Sequence, residues 1–429
     1  MNFSFIHAAD IHLDRPFSGL SKYSYDVNNE NLYKEATQKA FNKLIDFALL
    51  KNVDFVLFAG DTFDSTEQDF KSKLILKEGL LKLSNAGIKV YLICGNHDPI
   101  TAFNKNTFNF KEDSNVKIIG LNTPQFGKFK INNKNNEEIA LLHALSYSEN
   151  TFRENPLNYY NKASQEDKKL FNIGLMHIDK DSDKTSPYLP CNTGELKSLD
   201  YDYYALGHIH VPDINDEKIR YSGTIQGRNS KEAGEHGIYY VKVENNQIVK
   251  NTFVPTDIIR FENININFSN ENDITEAYNT IQTSLDEFVT TNNNQCELFL
   301  IKLSFEGSIL FFEELNEKFY NVLSEKIKID FNSKIYISEI ENNTIPKYDE
   351  ETLKNDEGIS GEIYKTINLP EIELQNTFNS IEKELKNILS NCDFTKEEYE
   401  EIKNNVIKNA KEECITICNK IYYNEMKED

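Results

Sequence analysis

At 429 residues the chain exceeds what one hydrophobic core organises, so two or three domains are expected. Hydrophobic residues make up 39% and charged residues 27%, net charge is -22, and no apolar run is long enough to span a bilayer, which excludes an integral membrane protein. The six cysteines lie far apart except for Cys414 and Cys418 and form no Cys-x-x-Cys unit, which excludes a zinc finger or disulfide scaffold and fits a reduced, cytoplasmic protein. The apolar N-terminal stretch has no basic leader and reads as a first buried strand, 3–9. A helix over 33–50, a strand over 53–59, a helix over 68–85 and a strand over 88–94 follow, a βαβαβ opening that predicts an α/β sheet. Further strands are expected at 139–144, 171–176, 203–206, 219–222, 237–243 and 248–254, enough for two packed sheets flanked by helices.

After Pro255 the pattern restarts: strand 261–268, helix 274–289, strand 297–305, helix 311–323 and strand 334–340, a small separate α/β module. The acidic stretch with Pro346 then reads as a linker, and helical spacing over 363–389 and 396–422 predicts a terminal helix pair. The expected division is therefore 1–255, 256–341, linker 342–360, and a helical segment 361–429. All eight histidines fall between His7 and His236, so the chemistry is expected in the first part. That part carries 30 Lys+Arg against 33 Asp+Glu, net -3, whereas residues 256–429 carry 17 against 36, net -19. Phosphate backbones are bound through Lys and Arg, so the acidic half is expected to stay away from nucleic acid.

Five motifs fall at the carboxyl ends of expected strands, where open α/β sheets place ligands. They are Asp10-Ile11-His12, Gly60-Asp61-Thr62-Phe63-Asp64, Gly95-Asn96-His97-Asp98, the lone His177, and Gly207-His208-Ile209-His210. Carboxylates, imidazoles and one amide oxygen, without thiolates, suit Mn²⁺, Fe or Zn. Asp61 can bridge two ions through its two oxygens at the roughly 3.5–4 Å spacing of two-metal phosphoryl-transfer sites. By strand alternation His7 and His143 read as core residues, His236 as a solvated turn residue and Cys94 as a buried small hydrophobe. Arg228 reads either as a contact to substrate phosphate or as a surface charge.

These motifs, in this order, resemble the calcineurin-like metallophosphoesterases, and within them the SbcD-type DNA-repair nucleases and their YhaO-like bacterial relatives. The resemblance implies a two-sheet metallophosphoesterase sandwich, a small α/β capping domain and C-terminal helices. It implies a first ion held by Asp10, His12, Asp61 and His210, and a second by Asp61, Asn96, His177 and His208. His97 is left to assist at the scissile phosphate, with Asp98 orienting its ring. Archaeal and eukaryotic members typically carry a histidine at the position of Asp64; here Asp64 is expected to orient a ligand or to approach the ions through water. The implied activity is metal-dependent hydrolysis of DNA backbone, exo- or endonucleolytic. The implied partners are DNA, an SbcC-like coiled-coil ATPase docked on the C-terminal helices, and a second copy of the chain. Two other readings compete: a phosphoesterase of small nucleotides or phosphoproteins, and a scaffold for the ATPase.

Overall fold

The computed structural model describes residues 1–15, 29–65, 69–103, 106–111, 114–268, 270–292, 296–348 and 350–367, with Cys414 and Asn419. The expected helices 363–389 and 396–422 lie, beyond residue 367 and those two residues, outside the described residues. The chain divides into two compact units: Met1–Asn263 with Asn292–Lys302 and Asp330–Ser338, and Ile264–Thr291 with Leu303–Ile329 and Glu339–Asp429.

The first unit is built on two sheets. Its elements in chain order are β1 (Asn2–Ala8), α1 (Glu30–Lys51), β2 (Phe55–Ala59), α2 (Phe70–Asn85), β3 (Lys89–Ile93), β4 (Val116–Ile118), β5 (Phe126–Asn132), β6 (Glu138–Leu145), β7 (Phe171–His177), α3 (Thr193–Ser198), β8 (Tyr203–Gly207), β9 (Ile219–Tyr221), β10 (Gly237–Glu244) and β11 (Gln247–Pro255). One sheet runs β11-β10-β1-β2-β3-β4, with β1 to β4 parallel; the other runs β5-β6-β7-β8-β9, with β6 to β9 parallel. Strand side chains alternate, and both faces of the central strands are buried. Phe5, Phe55, Leu57, Tyr91 and Ile93 therefore meet Ile173, Leu175 and Tyr203 of the second sheet. Ile6, Val56, Phe58, Val90 and Leu92 face the other way, onto Phe41 and Leu44 of α1 and Leu80 of α2. Phe5 stacks on Phe55 with ring centroids 4.9 Å apart; each such fully buried side chain contributes about 1.5–3 kcal/mol.

Helix boundaries follow their caps. The expected start of α2 at 68 gives way to Phe70, because the Asp69 carboxylate accepts from the Ser72 N–H at 2.9 Å. The remaining elements are β12 (Ile259–Asn267), α4 (Ile274–Asn292), β13 (Leu298–Glu306), β14 (Ser308–Ile309), α5 (Glu317–Asp330), β15 (Ile335–Asn342), β16 (Ile345–Pro346), α6 (Glu350–Asn355) and α7 (Ile359–Ile367). β12, β13 and β15 form a three-stranded sheet with β13 central, and β14 pairs with β16. The helix expected over 311–323 begins at Glu317, because the Asn316 side chain accepts from the N–H groups of Lys318 and Phe319 at 3.1 and 3.3 Å. The stretch read as a linker holds β16 and α6, and the Tyr348 N–H donates to the buried Asn419 side chain. Among the described residues no helix is long and apolar enough to cross a membrane.

Candidate metal centre

The parallel strands β1, β2, β3, β7 and β8 end together, and their exits are tightly folded. Asp10, His12, Asp61 and His208 all adopt positive φ, at 50, 46, 49 and 110°. Such conformations cost of order 1–3 kcal/mol each for non-glycine residues. Backbone bonds hold them: Asp10 N–H to Gly60 O at 3.0 Å, His12 N–H to Asp61 O at 3.1 Å, and Leu13 N–H to Thr62 O at 2.9 Å zip the exits of β1 and β2. Glycine is demanded at two motif positions. At Gly60 (φ +90) a Cβ would lie 2.5 Å from His177 Nδ1, and at Gly95 it would lie 2.1 Å from Asp61 Oδ1.

Two clusters meet at Asp10, which belongs to both, and at Asp61, where Oδ2 lies 4.0 Å from His12 Nε2 and 3.4 Å from His177 Nε2. In the first, His12 Nε2 and His210 Nε2 face each other at 3.2 Å. Behind them, His12 Nδ1 lies 2.9 Å from Asp64 Oδ1 and His210 Nδ1 lies 2.9 Å from Glu232 Oε1. A carboxylate only accepts, so His210 Nδ1 carries the proton and its Nε2 presents a lone pair, whereas His12 Nδ1 is buried beside Asp64 without hydrogen-bond geometry. Asp10 lies within ligand distance of both histidines. In the second cluster, His177 Nδ1 donates to Ala59 O at 2.8 Å, which turns Nε2 toward Asn96 Oδ1 at 2.9 Å and Asp61 Oδ2 at 3.4 Å. His208 Nδ1 lies 3.1 Å from the same Asn96 oxygen. Asp10 also accepts from the His208 N–H at 3.0 Å, which fixes the β8 exit.

Buried carboxylates, an amide oxygen and imidazole nitrogens are thus crowded together in both clusters. Positive charge, a proton or a metal ion, relieves this crowding of carboxylates, and divalent ions fit the nitrogen and oxygen donor set. The electrostatics agree. Burial lowers the His12 pKa to about 4, so its ring is neutral, as a ligand must be. Burial alone would also lower His177, but the Asp61 and Asp10 carboxylates beside it raise it to about 9. Burial works to raise Asp61 too, and the surrounding histidines hold it well below the usual carboxylate range. Negative charge has accumulated here to the point that a buried imidazole takes up a proton against its desolvation.

The other expected residues fall in varied places. The His97 side chain is 42% exposed at the mouth of the clusters, with Nδ1 2.9 Å from the Asp64 carbonyl oxygen and its backbone N–H on Asp61 Oδ1 at 3.0 Å. Asp98 does not orient that ring. Its Oδ2 accepts from the N–H groups of Thr62 and Phe63 at 2.7 and 3.2 Å and its Oδ1 from Gly95 N–H at 2.8 Å, so it ties the β2 exit to the β3 exit. Burial and the Asp61 charge push its pKa up, while the three N–H donors favour the ionised form. Arg228 is neither a surface charge nor open to substrate: it is 1% exposed, with Nη2 3.6 Å from Glu232 Oε1 and 3.4 Å from His210 Nδ1. His236 is buried rather than solvated, bonded to Thr224 Oγ1 and the Glu232 carbonyl. His7, His143 and Cys94 are buried as expected, His7 between Tyr203 Oη and the Leu206 carbonyl. Glu232 was not anticipated. It sits in a short turn four residues after Arg228, and no spacing in the sequence links it to His210.

Residues 3–212 match the calcineurin-like phosphoesterase family. The chain is 34% identical over 249 residues to the uncharacterised metallophosphoesterase YhaO of Bacillus subtilis, a match covering 57% of this chain and 58% of YhaO. It is 29% identical over 295 residues to the DNA double-strand break repair protein Mre11 of Methanocaldococcus jannaschii, covering 65% of this chain and 73% of that protein. The protein of the same description from Methanococcus maripaludis is 31% identical over 221 residues, covering 49% and 54%.

Proposed function

The chain carries a calcineurin-like metallophosphoesterase domain, and from that premise we propose that it hydrolyses phosphodiester bonds of DNA at a two-metal centre. The observation that carries the reading is the pair of buried ligand clusters that meet at Asp10 and Asp61, with His210 held from behind by Glu232 and His177 by the Ala59 carbonyl. Asp10, His12, Asp61 and His210 would hold one ion, and Asp61, Asn96, His177 and His208 the other, Mn²⁺ being the first choice and Fe or Zn the alternatives. Ions bound there supply Lewis acidity toward phosphoryl oxygens and lower the pKa of the water they bind.

The chain's own groups do the rest. The Asp64 carbonyl accepts from His97 Nδ1, which leaves Nε2 as the atom that exchanges a proton. At the exposed mouth of the centre that ring meets a non-bridging or leaving oxygen of the substrate, neutralises charge there and protonates the departing alkoxide. Glu232 and the Ala59 carbonyl hold the His210 and His177 rings through their Nδ1 atoms. DNA as substrate is supported by the two relatives described as DNA double-strand break repair proteins and by the near-neutral charge of residues 1–255.

Purified protein with Mn²⁺, end-labelled duplex or single-stranded DNA and, in parallel, bis-p-nitrophenyl phosphate tests the reading. We expect cleavage of both, lowered about 10²–10⁴-fold in His97→Ala with metal binding retained. Hydrolysis of the small diester with intact DNA would leave a small-substrate phosphoesterase. Bound metal without any hydrolysis would leave a scaffold.

A further inference from the structure

A cavity of about 210 Å³ opens between the loop after β6 and the loop after β7, with Arg153 and Lys184 on its rim. The two loops are stitched by Phe152 N–H to Pro187 O at 2.7 Å and Leu189 N–H to Phe152 O at 2.6 Å. The Phe152 ring packs edge-on against Tyr147 at 5.7 Å, and Tyr147 packs the same way against His177 at 5.6 Å. From the other loop, the Tyr188 ring centroid lies 4.8 Å from that of His208. The loops that form the cavity therefore brace two residues of the second cluster.

The charge at the cavity is unspent. Neighbouring lysines are engaged, Lys180 with Asp213, Lys128 with Asp167 and Lys168 with Asp200. Arg153 and Lys184 take part in no ion pair among the described residues. The one lining acid, Glu195, is committed: Oε1 accepts from Asn155 Nδ2 at 3.0 Å and Oε2 from the Asn192 N–H at 2.8 Å, while the Glu195 N–H donates to Asn192 Oδ1 at 2.9 Å. That reciprocal bonding makes the wall rigid, and with Arg153 and Lys184 against this one carboxylate the lining keeps a positive surplus. The volume falls below the roughly 300–1,000 Å³ of pockets that enclose a whole small molecule, so the cavity suits a fragment of a longer ligand.

Building on the phosphodiesterase reading, we propose that this cavity is a subsite for a non-scissile phosphate of a nucleic-acid strand, with Arg153 and Lys184 neutralising it while another phosphate lies at the metals. It fixes the register of the strand and favours polynucleotides over small diesters. The test is anisotropy titration of a 3′-labelled, 5′-phosphorylated oligothymidylate against full-length protein with divalent ions chelated, repeated at several salt concentrations. Arg153→Ala/Lys184→Ala is expected to bind about tenfold more weakly and to lose roughly 1.4 from the slope of log Kd against log salt, about 0.7 for each single-strand contact. Arg153→Lys/Lys184→Arg is expected to bind as wild type does, and millimolar inorganic phosphate is expected not to compete. An alanine variant with wild-type affinity and slope overturns the subsite, as does displacement of the strand by inorganic phosphate or loss of binding in the charge-keeping variant. Hydrolysis of bis-p-nitrophenyl phosphate, expected equal in all three proteins, reads the metal centre separately. Wild type that hydrolyses this diester and binds no oligonucleotide sinks both subsite and DNA reading; binding through the cavity without DNA cleavage sinks only the cleavage.

Discussion

His210 shows how far a ligand depends on a residue outside every motif. Its Nδ1 faces Glu232 Oε1, Glu232 Oε2 accepts from the Arg228 N–H, and against burial the His210 hydrogen bond, followed by the Arg228 charge, lowers the Glu232 pKa to about 2. Removing Glu232 frees the His210 ring and its tautomer. Glu232→Ala is therefore expected to weaken divalent-metal binding about 10–100-fold with the fold intact, read by calorimetric titration beside circular dichroism; unchanged affinity would remove Glu232 from the centre. His7 carries a prediction of another kind. Burial lowers its pKa from 6.5 to about 3, so it stays neutral in the fold while the unfolded chain gains a proton below pH 6.5. Its contribution is complete above about pH 6.5 and is lost as pH falls toward 3, at roughly 1.4 kcal/mol per pH unit for one such group. Denaturation midpoints of wild type and His7→Gln should converge as pH drops from 6.5 to 4; parallel curves would mean that His7 does not titrate this way.

Among the elements, α1 and α2 approach closely at Gly79, where a Cβ would lie 2.5 Å from the Phe41 ring. Both helices cover the sheet that carries β1, β2 and β3. Gly79→Ala is expected to destabilise by about 1–3 kcal/mol in urea denaturation while leaving metal stoichiometry unchanged; an unaltered midpoint would show that Phe41 moves aside freely. The central strands were legible because both faces are buried, which writes them as continuous apolar runs such as Phe55–Ala59. β4 is only three residues long, and β5, an edge strand with Lys128 and Lys130 on its outer face, lacks such a run, so neither was foreseen. The start of α5 moved because one asparagine, Asn316, caps it later than the apolar spacing implied. The motif residues were legible because parallel strands deliver their carboxyl ends to one edge. The role of Asp98 was not, because adjacency to His97 in sequence says nothing of side chains that leave in different directions. Glu232 left no signal, since its contact with His210 is made across a gap of 22 residues in irregular structure.

For the whole molecule, charge and metal binding are linked. Residues 1–255 carry a net -3 and the remainder -19, so two divalent ions would leave residues 1–255 slightly positive while the acidic surplus stays C-terminal. The carboxylates buried together there should also make the ions stabilising: at a free metal concentration 100-fold above Kd, binding adds about 2.7 kcal/mol, seen as a raised melting midpoint that chelation reverses. The central claim is that Asp61 joins two ion sites, and the direct measurement is the number of Mn²⁺ ions bound per chain, by calorimetric titration of chelator-treated protein. The account predicts two for wild type and for His97→Ala, and weak or sub-stoichiometric binding for Asp61→Asn, since both sites use that carboxylate. One ion in wild type, or two in Asp61→Asn with undiminished affinity, would contradict it.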